Sequence, residues 1–332
     1  MEDIYSPGRV PYEAAKPFKK SSTTETLQRL FSLFLDLTLF FILSIPIYIK
    51  YVLEIFSSPE PKRIAGQLAL VTGGGNGLGK SIAIRLAKEG CNVAVVDVDL
   101  VAAERVAGDI KSFGIKSKAY RVDVSSYDEV KNLGQEIEDD LGAVDILVNN
   151  AGIMPMISLM EGGVRDIEKI LSVNLTSHFW TVRVFLESMI RRRKGHIVAI
   201  SSLSGLDAAG RAVAYSASKF GVRGFMEALR EEIRLEGHLG EIFTTTVYPY
   251  FISTRKDLMQ KMQRTSLFQR FPPLLPDDAA DIVVDAILEN KVSITIPKVW
   301  PFSRVIFSWL PSRIQDLARE VLVKEYIPRI QM

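Results

Sequence analysis

From Gln67 onward, short apolar or β-branched runs alternate with longer stretches in which apolar and polar residues recur at helical spacing. Runs of the first kind predict β-strands, and stretches of the second kind predict helices. The predicted strands are residues 68–72, 92–97, 118–123, 146–149, 196–201, 243–248 and 293–297. Strands that alternate with helices and are apolar along most of their length predict a parallel sheet covered on both faces. The sequence therefore predicts an α/β fold, a Rossmann-type doubly wound parallel sheet of about seven strands.

The N-terminal part of the chain follows a different pattern. Residues 30–49 are mostly apolar, and a helix of that length would be roughly 30 Å long, enough to cross the hydrocarbon core of a membrane. Asp36 and Pro46 interrupt the stretch, and the part after Asp36 fits a shallow or re-entrant anchor better than a straight span. A core helix of a soluble domain is the alternative, but the polar segment 57–66 is typical of a linker.

These patterns divide the chain into a polar tail, a hydrophobic membrane anchor, a linker, a Rossmann-type domain and an amphipathic C-terminal segment. The five parts are residues 1–29, 30–56, 57–66, 67–297 and 298–332. The residues after Thr254 form an apolar segment that could line a pocket, with an ordinary surface loop as the alternative. The C-terminal segment could rest on a membrane, pack on the domain, or contact a second subunit of a homodimer. Its aromatic residues are Trp300, Phe302, Phe307 and Trp309.

Composition narrows the classes of function. The chain has 332 residues, of which 47% are hydrophobic and 24% charged, so it can bury a large core. Its net charge of +2, from 41 basic and 39 acidic residues, is too even to predict a nucleic-acid partner. One cysteine, Cys91, excludes an intramolecular disulfide, and the scattered histidines predict no metal site. We therefore expect a small-molecule partner and no metal.

A glycine-rich stretch follows the first predicted strand, with the sequence TGGGNGLGKSIAIRLAKEG at residues 72–90. Its glycines at 73, 77 and 79 permit a tight turn, bring backbone N–H groups against a pyrophosphate and let the next helix pack closely on the sheet. The helix N-terminus would then face the phosphates. A flexible loop is the alternative, but the position between a strand and a helix favours a dinucleotide site.

Asp97 ends the second predicted strand, where dinucleotide folds place the residue that meets the adenosine ribose. A carboxylate there accepts hydrogen bonds from the ribose hydroxyls and repels a 2′-phosphate. Asn76 is neutral at a loop position where a basic residue would favour that phosphate. We therefore predict NAD, with NADP less favoured, as the cofactor. Asp97 could instead cap the next helix, although Asp99 is the better candidate for that role.

Tyr215 and Lys219 lie four residues apart in the stretch RAVAYSASKFGVRGF. The spacing alone does not identify an active site, because the chain has two further pairs with the same spacing. These are Tyr12 with Lys16 and Tyr127 with Lys131. Residues outside each pair must therefore distinguish a catalytic pair from two chance pairs.

The motifs together resemble those of the short-chain dehydrogenase/reductase family, and they occur in the family's order between residues 68 and 254. They are TGGGNGLG (72–79), VDVS (122–125), NNAG (149–152), SVNL (172–175), ISS (200–202) and YSASK (215–219). Ser202 lies thirteen residues before Tyr215, as in the family, and neither of the other two tyrosines has such a serine. One departure is PYFIST at 249–254, where Tyr250 stands in place of the family's usual glycine.

The resemblance implies a role for each matching residue. The implied catalytic residues are Asn174, Ser202, Tyr215 and Lys219, with Ser202 also binding the substrate. The implied cofactor contacts are Gly73, Asn76, Gly77, Leu78, Gly79, Asp97, Asp123, Val124, Asn150, Tyr215, Lys219, Ile252 and Thr254.

Chemistry explains why these residue types are suitable. Oxidation of an alcohol needs a base for the hydroxyl proton, and lowering a tyrosine pKa from about 10 to near 7 takes about 4 kcal/mol of phenolate stabilisation. Lys219, one helical turn after Tyr215, can supply much of it. Ser202 can hydrogen-bond the substrate oxygen, and Asn174 can hold a water that relays the proton.

The apolar N-terminus and the stretches HFWTVRVFLESM (178–189) and GHIV (195–198) are similar to a membrane-associated branch of the family. That branch contains retinol dehydrogenases and 17-beta-hydroxysteroid dehydrogenases of the endoplasmic reticulum and lipid droplets. The resemblance implies an NAD(H)-dependent oxidoreductase that acts on a retinol, steroid or fatty alcohol at such a membrane, with its catalytic domain in the cytosol. The alternatives are an NADP(H)-dependent carbonyl reductase and a catalytically silent membrane or lipid-droplet protein with the same fold.

Overall fold

The protein is described by a computed structural model that covers residues 23–56, 60–155, 157–254, 272–297 and 310–323. It forms two compact units, Met1–Glu60 and Pro61–Met332. The apolar segment after Thr254 lies at residues 255–271, outside the described residues. The aromatic residues at positions 300–309 also lie outside them.

The N-terminal unit contains one long helix, α1 (Thr23–Phe56), which is longer than the predicted apolar stretch. Residues Thr23–Lys50 are long and apolar enough to cross a membrane, and none of that segment is buried in the structure. The helix continues through Pro46, contrary to the expected interruption. The loss of one backbone hydrogen bond at this proline is therefore not enough to end the helix.

The second unit contains a parallel sheet of seven strands in the order β3-β2-β1-β4-β5-β6-β7. The strands are β1 (Leu68–Thr72), β2 (Asn92–Asp97), β3 (Ser117–Arg121), β4 (Ile146–Asn149), β5 (Gly195–Ile200), β6 (Ile242–Pro249) and β7 (Ser293–Ile296). Every neighbouring pair is parallel. The strand order reverses between β1 and β4, which is where doubly wound sheets bind their ligands. The predicted fold class is confirmed.

Helices cover both faces of the sheet. They are α2 (Gly77–Lys88), α3 (Leu100–Lys111), α4 (Tyr127–Asp140), α5 (Val164–Leu171), α6 (Ser177–Arg192), α7 (Val213–Leu235) and α8 (Pro276–Leu288), and a further helix, α9 (Ser312–Val323), follows in the chain. One core cluster contains apolar residues of α2, α3 and α8, and the other contains residues of α4, α6 and α7. The central strand β1 is buried along its whole length, as expected for a strand covered on both faces.

Candidate active site

The turn between β1 and α2 requires glycine at specific positions. Gly77 has a φ of 55°, in the left-handed region, and a Cβ there would lie 2.9 Å from the Thr254 Cγ2 atom. A Cβ on Gly79 would overlap both the Gly73 carbonyl oxygen and the Asn150 side-chain amide. Asn76 precedes α2 and makes no capping hydrogen bond with its side chain. The N-terminus of α2 is therefore suited to bind an anionic pyrophosphate.

Asn150 supports this turn through its side chain. Its Nδ2 atom donates to the carbonyl oxygens of Thr72 (3.0 Å) and Gly73 (3.1 Å). The hydroxyl of Thr72 in turn accepts hydrogen bonds from the backbone N–H groups of Asn150 and Ala151. These bonds join the carboxyl ends of β1 and β4, so Asn150 fixes the shape of the glycine-rich turn. Asn150 is also one of the expected cofactor contacts, and its support of the turn is not predicted by the sequence.

Asp97 is held at the end of β2 by two backbone amides. Its carboxylate accepts hydrogen bonds from Gly75 N (2.9 Å) and Asp99 N (3.1 Å). Asp99, and not Asp97, caps helix α3 by accepting a hydrogen bond from Ala102 N at 3.0 Å. The expectation that Asp99 is the helix cap is therefore confirmed. Because a carboxylate offers about four acceptor sites, Asp97 keeps acceptor capacity for the two hydroxyls of a ribose.

Four other expected cofactor contacts follow strands β3 and β6 at the carboxyl edge of the sheet. Asp123 follows β3, where its carboxylate accepts hydrogen bonds from the Ser125 backbone N–H (2.9 Å) and hydroxyl (2.7 Å), and the adjacent Val124 is buried. Ile252 follows β6 and pairs with Leu274. Thr254 lies next to the glycine-rich turn at Gly77. The residues expected to contact a dinucleotide thus line the carboxyl edge of the sheet, and they fit such a group.

Tyr250, the departure from the family pattern, lies at the start of the segment that follows β6. Its backbone N–H donates to the Ile296 carbonyl oxygen at 2.7 Å. Its ring meets the Phe251 ring edge-on, with 5.0 Å between the ring centroids. Burial raises the pKa of Tyr250 to about 12, so its hydroxyl stays neutral at physiological pH. The backbone of this segment is therefore fixed to β7 although a bulky side chain replaces glycine.

Ser202 and Tyr215 come together at the carboxyl edge of the sheet. Ser202 follows β5, and its Oγ atom accepts a hydrogen bond from Ser204 N at 3.1 Å. Tyr215 lies in the first turn of α7 and is partly exposed. Burial raises the pKa of Tyr215, and a hydrogen bond with Ser202 lowers it. The expected fall of this pKa is absent from the structure, because burial outweighs the hydrogen bond.

Lys219 lies one turn after Tyr215 on α7 and is buried. Its Nζ atom lies 5.8 Å from the centroid of the Tyr215 ring and donates to the Ile200 carbonyl oxygen at 2.8 Å. Burial lowers the pKa of Lys219 to about 8. The backbone of this turn is held to β5, since the Ser201 hydroxyl donates to the Lys219 carbonyl oxygen at 2.9 Å. A cation is therefore placed next to the tyrosine ring.

Asn174 lies in a π-helical stretch, Ser172–Thr176, between α5 and α6, and is fully buried. Its Oδ1 atom accepts a hydrogen bond from Ile153 N (2.8 Å), and its Nδ2 atom donates to Ile153 O (2.9 Å) and Ser218 Oγ (3.2 Å). The side chain thus fastens the segment after β4 to α7. Little of its hydrogen-bonding capacity remains for the expected role of holding a water.

Gly152 leaves space beside this amide. A Cβ at Gly152 would lie 3.4 Å from Asn174 Oδ1 and 3.6 Å from Lys219 Nζ. The two polar atoms therefore face the same small volume, which a side chain at this position would fill. The second lone pair of Asn174 Oδ1 is the part of the side chain that remains for a water or a ligand.

Two residues near the site were missed by the sequence analysis. The Ser218 hydroxyl donates to the Tyr215 carbonyl oxygen at 2.6 Å and accepts the bond from Asn174. His178, one turn after Asn174, is buried, and within the described part of the chain its Nδ1 atom has no hydrogen-bond partner. Burial and the nearby Lys219 lower the pKa of His178 to about 3. The helical spacing from Asn174 was the available signal for His178.

The structure separates the Tyr127/Lys131 pair from these features. The Tyr127 ring packs against Trp180, with 5.3 Å between the ring centroids, where α4 contacts α6. Tyr12 and Lys16 lie outside the described residues. Of the two described pairs, Tyr215 with Lys219 is the one that lies beside Ser202 and Asn174.

The model of the short chain dehydrogenase family matches residues 67–265. The chain belongs to this family. Rat (Rattus norvegicus) 17-beta-hydroxysteroid dehydrogenase 13 is 31% identical to it over 283 residues, which cover 85% of this chain and 92% of the relative. Human (Homo sapiens) epidermal retinol dehydrogenase 2 is 33% identical over 271 residues, covering 81% of this chain and 85% of the relative.

A solved structure gives the same assignment. The crystal structure of a metagenomic short-chain oxidoreductase in complex with NADP is similar to this chain, with a TM-score of 0.59 and 27% identity. The similarity covers 70% of this chain and 98% of that chain. This short-chain dehydrogenase is therefore an oxidoreductase that acts on CH–OH groups, and its fold is one that binds a nicotinamide cofactor.

Proposed function

We propose that the protein is an NAD(H)-dependent dehydrogenase that interconverts a hydroxyl and a carbonyl group on an apolar, lipid-like substrate. The observation that carries the proposal is the hydrogen-bonded pair of Ser202 and Tyr215 with the buried Lys219 cation beside the tyrosine ring. The relatives support the substrate class, since their names specify a hydroxysteroid and retinol. A retinoid, a steroid or a fatty alcohol is the substrate that we expect.

In this proposal each residue has a defined task. Tyr215 takes the proton of the substrate hydroxyl in oxidation and returns it in reduction. Ser202, whose Oγ atom is fixed by Ser204 N, hydrogen-bonds the substrate oxygen. Lys219 stabilises the phenolate of Tyr215 by its charge. When bound, the nicotinamide cofactor supplies the hydride chemistry. Asn174 ties the segment after β4 to α7, so it positions Tyr215 and Lys219 on that helix.

We propose that the protein acts at a membrane or lipid-droplet surface. Helix α1 supports this location, because Thr23–Lys50 is long and apolar enough to cross a membrane. An apolar substrate partitions into the same environment, so attachment there would bring enzyme and substrate together. We place the protein at the endoplasmic reticulum or on lipid droplets, with residues 67–297 as a cytosolic catalytic domain.

The preference for NAD follows from Asp97, whose carboxylate lies beside Gly75 at the end of β2. A second candidate, NADP, has one observation in its favour. A cavity of about 280 Å³ near the same loop is lined by Asn76, Lys80 and Arg105 among others, and two of these are cations. Lys80, however, is already paired with Asp109 at 3.6 Å. We therefore propose NAD as the cofactor.

Steady-state kinetics with both cofactors test this proposal. We expect the purified full chain to reduce NAD faster than NADP with retinol, a hydroxysteroid or a long-chain alcohol. Asp97→Ala should shift the ratio of the two kcat/KM values toward NADP by about tenfold or more, because a charge pair at 4 Å is worth up to roughly 4 kcal/mol at an effective dielectric of about 20. Asp139→Ala, on exposed α4, is the control. A wild-type preference for NADP would refute the NAD assignment, and absence of turnover with either cofactor would favour the silent alternative.

A further inference from the structure

Two surface segments follow residues of the candidate site along the chain. The first is the Ser158–Gly162 turn, which follows β4, and Asn174 holds the chain at Ile153 just before it. The second is the Leu206–Ala212 loop, which connects the end of β5 to α7 and so runs from the serine to the tyrosine. The middle of that loop is fixed to α7, since Ala209 N donates to Ser216 Oγ at 3.1 Å. Asn174 ties the chain before the turn to the same helix through Ser218.

An ion pair joins the two segments at their outer sides. Arg211 Nη2 donates to Glu161 Oε1 at 3.1 Å, across 50 residues of sequence. The other carboxylate oxygen, Oε2, accepts from Ser158 N at 3.3 Å within the turn. Hydrogen bonds from Ser158 and the Arg211 guanidinium lower the pKa of Glu161, so the pair stays charged over the usual assay range. Both partners are thus held in a defined geometry.

The backbone at Arg211 is unusual, with a φ of 57° in the left-handed region. Glycine adopts this conformation freely, whereas an arginine there raises the energy of the folded chain. An exposed ion pair adds little to stability, and the side chains of Arg211 and Glu161 are 37% and 59% exposed. Stability therefore does not explain an arginine at this position. The contact of its side chain with Glu161 does explain it.

The surfaces beside the ion pair are apolar. Met160 at the tip of the turn is 92% exposed and Leu159 is 53% exposed, while Val213, the first residue of α7 after the loop, is 47% exposed. Exposed apolar side chains on the turn and at the start of α7 suit the entry of an apolar molecule better than that of a charged one. Between these apolar side chains, the charges of Glu161 and Arg211 neutralise each other in the ion pair.

We propose that the Glu161–Arg211 pair is a strut that joins the Ser158–Gly162 turn to the Leu206–Ala212 loop and thereby sets the entrance to Ser202 and Tyr215 for a bulky apolar alcohol. This inference rests on the proposed function. Glu161 and Arg211 are positioning residues, because they act on substrate entry and not on the reacting atoms. The strut matters for a large substrate and much less for a small alcohol, which needs no shaped entrance.

Kinetics of the full chain test the strut. Arg211→Gly removes the guanidinium while relieving the left-handed backbone, and Glu161→Gln removes the charge of the partner. We expect each to raise the KM for retinol at least threefold, with kcat within twofold of wild type and with a smaller change of KM for cyclohexanol. The double variant should match the single variants, because the two residues act as one unit. Arg211→Lys, which keeps the charge, should restore most of the lost affinity.

A matched control exists elsewhere in the fold. Arg193 also has a left-handed φ, of 52°, and also pairs with a glutamate, Glu241. It lies between α6 and β5, at the amino-terminal edge of the sheet and away from Ser202 and Tyr215. Arg193→Gly therefore makes the same backbone change and removes the same kind of ion pair. We expect its KM and kcat for both alcohols to equal those of wild type.

Hydrogen exchange of the free protein gives a second readout that needs no turnover. In Arg211→Gly and in Glu161→Gln, the backbone amide hydrogens of both the turn and the loop should exchange faster than in wild type. In Arg193→Gly, the exchange rates of both segments should equal those of wild type. Unchanged exchange, or faster exchange with an unchanged KM for retinol, would overturn the strut. If wild type oxidises no alcohol, the proposed function fails, and the exchange rates alone then decide whether the ion pair joins the two segments.

Discussion

Around Tyr215, burial decides which side chains carry charge. Burial lowers the pKa of Lys219 to about 8, so this lysine remains mostly cationic at neutral pH. Burial and the nearby Lys219 lower the pKa of His178 to about 3, so its imidazole is neutral. Lys219 therefore supplies positive charge beside the tyrosine while His178 does not. A cation in this position stabilises a phenolate, so it works against the burial that raises the pKa of Tyr215.

The neutral state of His178 predicts how the stability of the protein depends on pH. Its pKa in the folded protein, about 3, is below the ordinary value of 6.5, so the unfolded chain binds more protons between these values. The stability that His178 contributes is therefore present above pH 6.5 and is lost as the pH falls toward 3. We expect the melting temperature of wild type to fall between pH 7 and 5, and His178→Phe to reduce that fall.

Thermal unfolding of the full chain in detergent at each pH measures this effect. Part of the fall in melting temperature should remain in His178→Phe, because burial also lowers the pKa of His196 well below its ordinary value. His238→Gln, at a less buried position, serves as the control. Equal pH dependence in wild type and His178→Phe would contradict the assignment of a neutral buried imidazole.

The sequence selects candidate site residues, but it does not predict their contacts. Ser202, Tyr215 and Lys219 could be selected because a serine thirteen residues before the tyrosine distinguishes one pair from two others. The partners of Asn174 could not be predicted, since Ile153 and Ser218 lie 21 and 44 residues away along the chain. Contacts of that kind depend on how α6, α7 and the segment after β4 pack, which no local pattern specifies.

At the scale of elements, the close packing of the β1–α2 turn predicts the effect of one methyl group. A Cβ on Gly79 would overlap Gly73 O and the Asn150 amide, and both belong to the rigid ends of β1 and β4. Gly79→Ala must therefore displace the turn that faces the pyrophosphate. We expect the dissociation constant for NADH to rise about tenfold or more, by analogy with the cost of small displacements in binding sites, together with a lower melting temperature.

Fluorescence titration with NADH measures this change. Gly224→Ala is a suitable control, because Gly224 lies within α7 and a Cβ there meets no atom within 4 Å. Alanine in a helix interior is favoured over glycine by about 1 kcal/mol, so this variant should bind NADH normally and be as stable as wild type or more so. Normal NADH binding by Gly79→Ala would show that the turn does not carry the cofactor.

Element bounds were predictable where the apolar pattern is sharp. Strands β1, β2 and β4 have the predicted bounds, whereas β3 begins and ends earlier than expected. As an edge strand β3 pairs on one side only, so its ends follow the register with β2 more than its own composition. Helix α1 begins at Thr23, before the anchor predicted at residues 30–56, because the polar residues ahead of Leu30 carry no apolar signal.

For the whole molecule, the long apolar helix predicts attachment to membranes. The full chain should sediment with membranes or lipid droplets and resist extraction by high salt and carbonate, because apolar insertion is not screened by ions whereas surface charges are screened within about 8 Å. Deletion of residues 1–57 should release most of the protein into the soluble fraction. Protease treatment of sealed microsomes should digest residues 67–332 from outside, as a cytosolic domain requires.

Two results would change this account of the location. Protection of the domain inside sealed microsomes would overturn the cytosolic assignment. If the protein without residues 1–57 stays on membranes, the N-terminal helix is not the sole anchor. The C-terminal segment, residues 299–323, would then be tested by alanine replacement of Trp300, Phe307 and Trp309 in the shortened chain.

The central claim is that Tyr215 is the base of a dehydrogenase, and the most direct test measures turnover and cofactor binding in Tyr215→Phe. This change keeps the ring and removes the hydroxyl that contacts Ser202. We expect NAD-dependent oxidation of the lipid-like alcohol to fall by about 100-fold or more, with NADH binding within twofold of wild type. Tyr127→Phe, whose ring packs on Trp180, should keep full activity. Retained turnover in Tyr215→Phe, or an equal loss in Tyr127→Phe, would contradict the account.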